Sequence, residues 1–335
     1  GDGKAGTVTV EIQSGGVVST SGQAAHGIIA QSASGNGNKG QPVTITLQSG
    51  SQVSATGSYA YAIWADSAGD NKGDITINNS GTISGGCLIE NNSSTNTSCP
   101  SSATSASAAV AATTPSAVAA TSPTAAVAAA NPTVKIAANP TAAATTLADA
   151  ISPSPEAAGI MITNAATALI TNAGTITSFD DVDGDLLRSH ANRLQVDNSG
   201  TLIGNLHHFG TRSIITNLAG GTLYTGSTYD LGGTGVGTLI NNGRVEVLGG
   251  TRTGVTAING DLQQLSGGTL AFDLDPASLS FDGLTVSGTA ALDGRLEYNF
   301  LTLGSSSAGR QTIELISADG GVTLLAGALA TSRSA

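Results

Sequence analysis

Asn172-Ala-Gly-Thr-Ile176 and Asn198-Ser-Gly-Thr-Leu202 are two copies of one phrase. It returns, slightly altered, as Asn217 ahead of Gly221-Thr-Leu223 and as Asn242-Gly-Arg-Val245, and an upstream copy stands at Asn79-Ser-Gly-Thr-Ile83. The last four asparagines are spaced 26, 19 and 25 residues apart. A unit that recurs at such intervals is one turn of a solenoid, since a single turn buries nothing and a stack of turns buries a continuous core. Within the phrase, apolar residues on alternate positions give a strand with one buried face. Glycine supplies a turn with positive φ, and asparagines stacked turn on turn can bond through their amides. The phrase predicts an all-β chain, a right-handed parallel β-helix, with Asn79, Asn172, Asn198, Asn217 and Asn242 as a ladder.

Towards the N-terminus the repeat lengthens to thirty-five residues. Val10, Ile12 and Gly15 correspond to Ile45, Leu47 and Gly50, and Gly27-Ile-Ile-Ala-Gln31 to Ala62-Ile-Trp-Ala-Asp66. A third copy begins at Asp74-Ile-Thr-Ile77, and Gly159-Ile-Met-Ile-Thr-Asn164 resumes the series. Residues 1–92 and 156–257 therefore read as rungs. Residues 93–155 interrupt them with Ala, Ser, Thr, Val and Pro, and Pro115, Pro123, Pro132 and Pro140 break any helix. This segment is expected to be a disordered loop outside the coil. Rungs of about 23 residues would number about twelve and make a rod of ~55 to 60 Å.

Residues 258–335 change style. Leu270, Phe272 and Leu274 alternate, as do Leu284 and Val286, then Leu292, Leu296 and Tyr298 around Asp293-Gly294. The run Phe281-Asp-x-Leu-x-Val-x-Gly-x-Ala-x-Leu-x-Gly-x-Leu296 resembles the C-terminal junction, or autochaperone, segment of autotransporter passenger domains, the pertactin-like proteins of Gram-negative bacteria. Gln311-Thr-Ile-Glu-Leu-Ile-Ser-Ala318 before Gly320-Gly321 resembles that segment's next hairpin. The resemblance implies a β-hairpin cap that closes the C-terminal edge of the coil and seeds its winding, with Phe272, Phe281, Leu284, Val286, Leu292 and Leu296 as its core. It also implies export through a C-terminal outer-membrane barrel, absent from this chain, and display at the cell surface or outside the cell. With Gly1 in place of an initiator methionine and no barrel after Ala335, the chain is expected to be a processed or excised fragment.

Charge narrows the functions further. The net charge is -11, and the twelve basic residues are scattered singly, so no cluster exists to release counterions from a nucleic acid. Charged residues make up only 10 % and aromatic residues 3 % of the chain, against 45 glycines, which favours a thin core of small aliphatic side chains. Cys87 and Cys99 could close a small loop in an oxidising compartment, worth ~3 kcal/mol, or remain as thiols. The sequons at Asn91, Asn92 and Asn96 matter only in a eukaryotic secretory route.

Chemistry-bearing motifs are sparse. Gly35-Asn-Gly-Asn-Lys-Gly40 has dinucleotide-loop spacing, but a strand pattern follows where a helix is needed. Gly232-Gly-Thr-Gly-Val-Gly237 has glycine where a calcium nonapeptide has aspartate. Asp180-Asp-Val-Asp-Gly-Asp185 offers Asp181, Asp183 and Asp185 to calcium, against the plainer reading of a solvated acidic loop. Asp180, Asp181, Arg188 and His190 are the crowded candidates for a polysaccharide lyase or hydrolase, without that chemistry's usual phrases, and His207-His208 is read as loop. No Gly-x-Ser-x-Gly occurs. The expectation is a monomeric, non-enzymatic passenger without cofactor, an adhesin or structural virulence-type factor that meets a host-cell or matrix component. The alternative is a carbohydrate-active β-helix enzyme.

Overall fold

The computed structural model describes residues 4–35, 37–87, 110–113, 133–136, 157–232, 235–250, 252–302, 313–325 and 329–332. The chain is a parallel β-helix, right-handed as parallel crossovers are. One 11-stranded sheet forms the first face, and a 19-stranded sheet bends along its length into a second and a third. The thirty-five-residue correspondence is a register: Val10 lies beside Ile45, Ile12 beside Leu47, and Ile28 beside Ile63. Inward positions stack the same way, so Val8, Val43 and Ile75 form one fully buried column, and Val10, Ile45 and Ile77 the next. Among the described residues the first face holds eleven strands, one of them from the low-complexity segment, and the first rungs are long. Gln31 and Asp66 sit side by side at a separation of 35 residues, whereas Asn198 and Asn217 do so at 19.

The asparagine ladder runs inside the coil. Asn79 Nδ2 donates to Asn172 Oδ1 (2.8 Å), Asn172 to Asn198 (2.7 Å), Asn198 to Asn217 (2.9 Å) and Asn217 to Asn241 (2.9 Å). The place expected of Asn242 belongs to Asn241. Strand Gly237–Asn241 alternates inward up to that residue, and Asn242 already starts the corner. All five ladder residues are within 1 % of full burial. Each amide also reaches a backbone carbonyl of a rung, as Asn198 Nδ2 does to Gly200 O (3.2 Å) and Asn241 Nδ2 to Thr269 O (3.1 Å). Gln264 takes the next position and donates instead to Asp293 O (2.7 Å) and Arg295 O (3.0 Å).

The glycines of the phrase serve a different purpose from the one expected. Gly174, Gly200 and Gly243 do not adopt positive φ. They are needed for space: a Cβ on Gly200 would lie 2.2 Å from Gly174 O, and one on Gly174 would lie 2.0 Å from Gly81 O. The corner brings backbone of one rung against backbone of the next, and no side chain fits between.

Part of the low-complexity segment is ordered against expectation. Thr133–Ile136 pairs in parallel with Val8–Ile12, and Val110–Thr113 with Ile28–Ala33, so these two strands cover the N-terminal edge of the coil. Both fall between prolines, Thr133–Ile136 is rich in β-formers, and an open edge offers them a row of unpaired backbone groups. The remainder of 93–155 lies outside the described residues, as do Asn91, Asn92, Asn96 and Cys99. Cys87 is fully buried and disulfide-bonded.

At the other end the chain keeps winding. A hairpin is present, with Leu274 opposite Phe281 and Asp275 opposite Ser280, and it is the one antiparallel pairing among the described strands. Around it everything is parallel: Leu270 stacks on Leu296, Leu284 on Ile316, Leu292 on Leu324. The stretch read as a further hairpin, Ile316–Ala318 and Val322–Leu324, instead contributes one strand to the third face and one to the first. Gly320 N donates to Gly288 O (2.8 Å) and Gly288 N to Gly260 O (2.9 Å), so Gly320-Gly321 is a rung corner. Phe272, Leu284, Val286 and Leu292 are buried, and Leu296 packs against them half-buried. Phe281 is corrected: it stands on the outer hairpin strand and is 38 % exposed. Nor do the described residues close the C-terminal edge, since Leu324, which points along an interior column, is 68 % exposed.

Candidate functional site

Several of the chain's scarce side chains gather on the third face. The chain has one tryptophan, one methionine and four histidines. Trp64 lies beside Met161, Met161 beside Arg188, Arg188 beside His207, and His207 beside Asp230, one per rung on the side of the sheet away from the main core, the first two buried. At the upstream end His26 stacks on Tyr61 (4.8 Å between rings) and meets Trp64 edge-on (5.4 Å). Trp64 Nε1 donates to Thr163 Oγ1 (3.0 Å), which donates to Asp66 Oδ1 (2.9 Å), and Gln31 and Asn164 donate to the same carboxylate at 2.8 Å. These bonds fix a small apolar cluster of Tyr61, Trp64, Ala158 and Met161 outside the main core.

At the downstream end Asp185 is buried and bridges Arg188 (2.7 Å) and His207 (3.2 Å). Arg188 lies over the ring of Phe209 at 5.2 Å, and His190 stacks on the same ring at 4.6 Å. His207 and His208 are thus the end of strand Thr201–His208 rather than loop, one turned out and one buried in the coil. Burial holds the His208 imidazole below its usual pKa.

The acidic run does not converge. Asp181–Asp183 is a single 3-10 turn, Asp183 is ion-paired with Arg252, and Asp185 faces the other way to Arg188 and His207. Among the described residues no three His, Cys, Asp or Glu side chains are arranged to hold a metal ion. Arg188, a candidate base for polysaccharide cleavage, is engaged with Asp185. Residues 37–40 lead into strand Val43–Leu47, as the turn reading of that glycine phrase requires.

Two groups that sequence reading passed over titrate in opposite directions. His26 Nδ1 accepts the Tyr61 N–H (3.0 Å), and burial lowers its pKa to about 4. The folded state prefers the neutral ring, so its contribution is complete above pH 6.5 and is lost as pH falls towards 4. Asp282, in the Phe281-Asp motif, is fully buried and accepts the N–H groups of Gly254 (2.9 Å) and Asp273 (2.7 Å), which ties the hairpin to the rung below. Burial raises its pKa to about 7, so its contribution is complete below 3.8 and is lost as pH rises through 7. Denaturant melts from pH 4 to 7 should show His26→Gln removing an acid-side loss of up to ~3 kcal/mol. A wild-type curve unchanged by that substitution would show that His26 does not carry the acid response.

Comparison with protein-family models, with curated proteins and with solved structures finds no match. The class of the protein is therefore given by its own geometry, a parallel β-helix with an aromatic and histidine-rich outer face.

Proposed function

We propose that this coil is the displayed part of an autotransporter, a non-enzymatic passenger held at the surface of a Gram-negative cell as an adhesin or structural virulence-type factor. One observation supports the reading most: the segment carrying Phe281-Asp-x-Leu-x-Val is wound in register onto the downstream end of the coil, where its strands offer a paired edge to the rungs upstream of it. A long rigid stack with side chains presented rung by rung suits a surface held away from a membrane. The reactive-looking groups of the third face are consumed in ion pairs and ring stacks, which suits recognition better than turnover.

The test is export. Joined upstream of an outer-membrane barrel in Gram-negative cells, the chain should become accessible to external antibody and protease and should confer binding to host cells or matrix. Retention of folded chain in the periplasm under those conditions would overturn the display reading.

A further inference from the structure

Four of the twelve basic residues, set far apart in the sequence, are brought into one line by the corner where the third face turns into the first. Lys39 closes the first rung and bridges to Asn71, the neighbour of Lys72 at the close of the second. Lys72 Nζ donates to Asn192 Oδ1 (3.4 Å), past the rung that Ala165 opens. The next residue, Arg193, begins its strand directly beside Arg212, the first residue of the strand that follows. The line therefore runs over four rung steps of ~4.8 Å, or ~19 Å of the coil's length.

Arg193 and Arg212 are exposed, and among the described residues neither forms an ion pair, whereas Arg188, Arg244, Arg252 and Arg295 each hold a carboxylate. Like charges set directly opposite on neighbouring strands repel, so the placement costs stability that a bound anion restores. Upstream, Lys39, Asp70, Asn71, Lys72, Ala166 and Asn192 line an open groove of about 450 Å³. The Asn192 amide gives its oxygen to Lys72 and keeps its N–H groups as donors. The carboxylates beside this line are bonded to backbone, Asp70 to the Gly37 N–H (2.5 Å) and Asp74 to the Thr167 N–H (3.2 Å), and the four cations outnumber them. Charges more than about 8 Å away are largely screened at physiological salt, so a ligand at the corner meets these groups before it meets the net charge of -11.

The planar fork of arginine matches a carboxylate through two parallel hydrogen bonds. A linear polyuronate carries one carboxylate per sugar, and a sugar in an extended chain is about as long as a rung is thick. No aromatic ring lines the groove, so the stacking that holds single-stranded nucleic acid is missing. We propose that the corner from Lys39 to Arg212 binds a linear, unsulfated acidic polysaccharide laid along the coil, its carboxylates held by Lys39, Lys72 and the two adjacent arginines. The site deepens the adhesin reading and rests on it for its biological setting, while binding by the purified chain is a separate matter from display.

The experiment is isothermal titration of the folded full chain at ~50 mM salt with a galacturonate octamer, its carboxyl-reduced neutral counterpart, a dextran sulfate and a single-stranded oligothymidylate. The octamer should bind and its neutral counterpart should not. Arg193→Gln combined with Arg212→Gln should weaken the octamer about tenfold or more. Arg252→Gln, which removes a cation held by Asp183 away from this corner, should leave binding unchanged. Circular dichroism verifies that each variant is folded, and Lys72→Gln, expected to weaken binding several-fold, tests the same line if the double variant is not. No binding of the octamer, equal binding of its neutral counterpart, or tighter binding of the sulfate or the oligonucleotide would each overturn the proposal. So would variants at the corner that bind as wild type does, or a loss as large from Arg252→Gln. Surface display could fail with this site intact, or succeed without it, so the two results are separable.

Discussion

Removal of residues 258–335 is expected to slow refolding by more than about tenfold, whereas removal of residues 1–40 should change the rate little. The asymmetry follows from the direction of winding and not from core size, since large buried side chains lie at both ends, Ile12 and Ile28 as well as Phe272 and Leu284. Phe272, Leu270, Leu284, Val286 and Leu292 are buried within the last rungs, and each fully buried side chain of this kind contributes ~1.5 to 3 kcal/mol. Their strands supply the edge on which Gly237–Asn241 and Arg244–Glu246 are paired. The first rungs are built from Val and Ile on long repeats, with their edge covered by strands from the low-complexity segment. Stopped-flow refolding of the two truncated chains measures the difference. Equal slowing from both ends would show that winding has no preferred origin and would remove the physical basis of the autochaperone reading.

Asn198→Ala should cost ~3 to 5 kcal/mol, the largest loss expected from a single polar side chain here. The substitution removes the acceptor of Asn172 Nδ2 and the donor to Asn217 Oδ1, and also frees the carbonyls of Gly200 and Thr222. All of this happens in a buried column, where water does not replace the lost partners. Asn192→Ala, at an exposed corner, serves as the control and should cost less than ~0.5 kcal/mol. A loss for Asn198→Ala no greater than the control in urea melts would show that the ladder is incidental to stability.

Much of this was legible in the repeating phrase, because a solenoid writes its register into the sequence: Val10 with Ile45 and Ile28 with Ile63 are neighbours in both. Asn241 and Asn242 are adjacent and chemically identical, so only the inward alternation of the preceding strand chooses between them. The corner glycines read as conformational along a single turn, because the carbonyl of the next rung that excludes a Cβ is not visible there. Phe281 looked like core by hydrophobicity, but a two-residue antiparallel strand carries it to the outside. The third face was hidden for a related reason. His190 and Phe209 become neighbours only after rungs of unequal length are aligned, and nothing local in either of them announces the stack.

Strands on either side of the low-complexity segment belong to one continuous coil in fixed register. Asn78 and Thr171 are paired outward residues of adjacent rungs although 93 residues separate neighbouring ladder partners in the sequence. Their Cα atoms should stand ~4.8 Å apart, within disulfide reach, whereas Asn78 and Leu169 are offset by two positions and out of reach. With both pairs replaced by cysteine in separate variants, mild oxidation followed by peptide mapping should find the 78–171 bridge formed and the 78–169 bridge absent. Equal yields, or a bridge only in the offset pair, would contradict the register and with it the ladder, the corner packing and the coil.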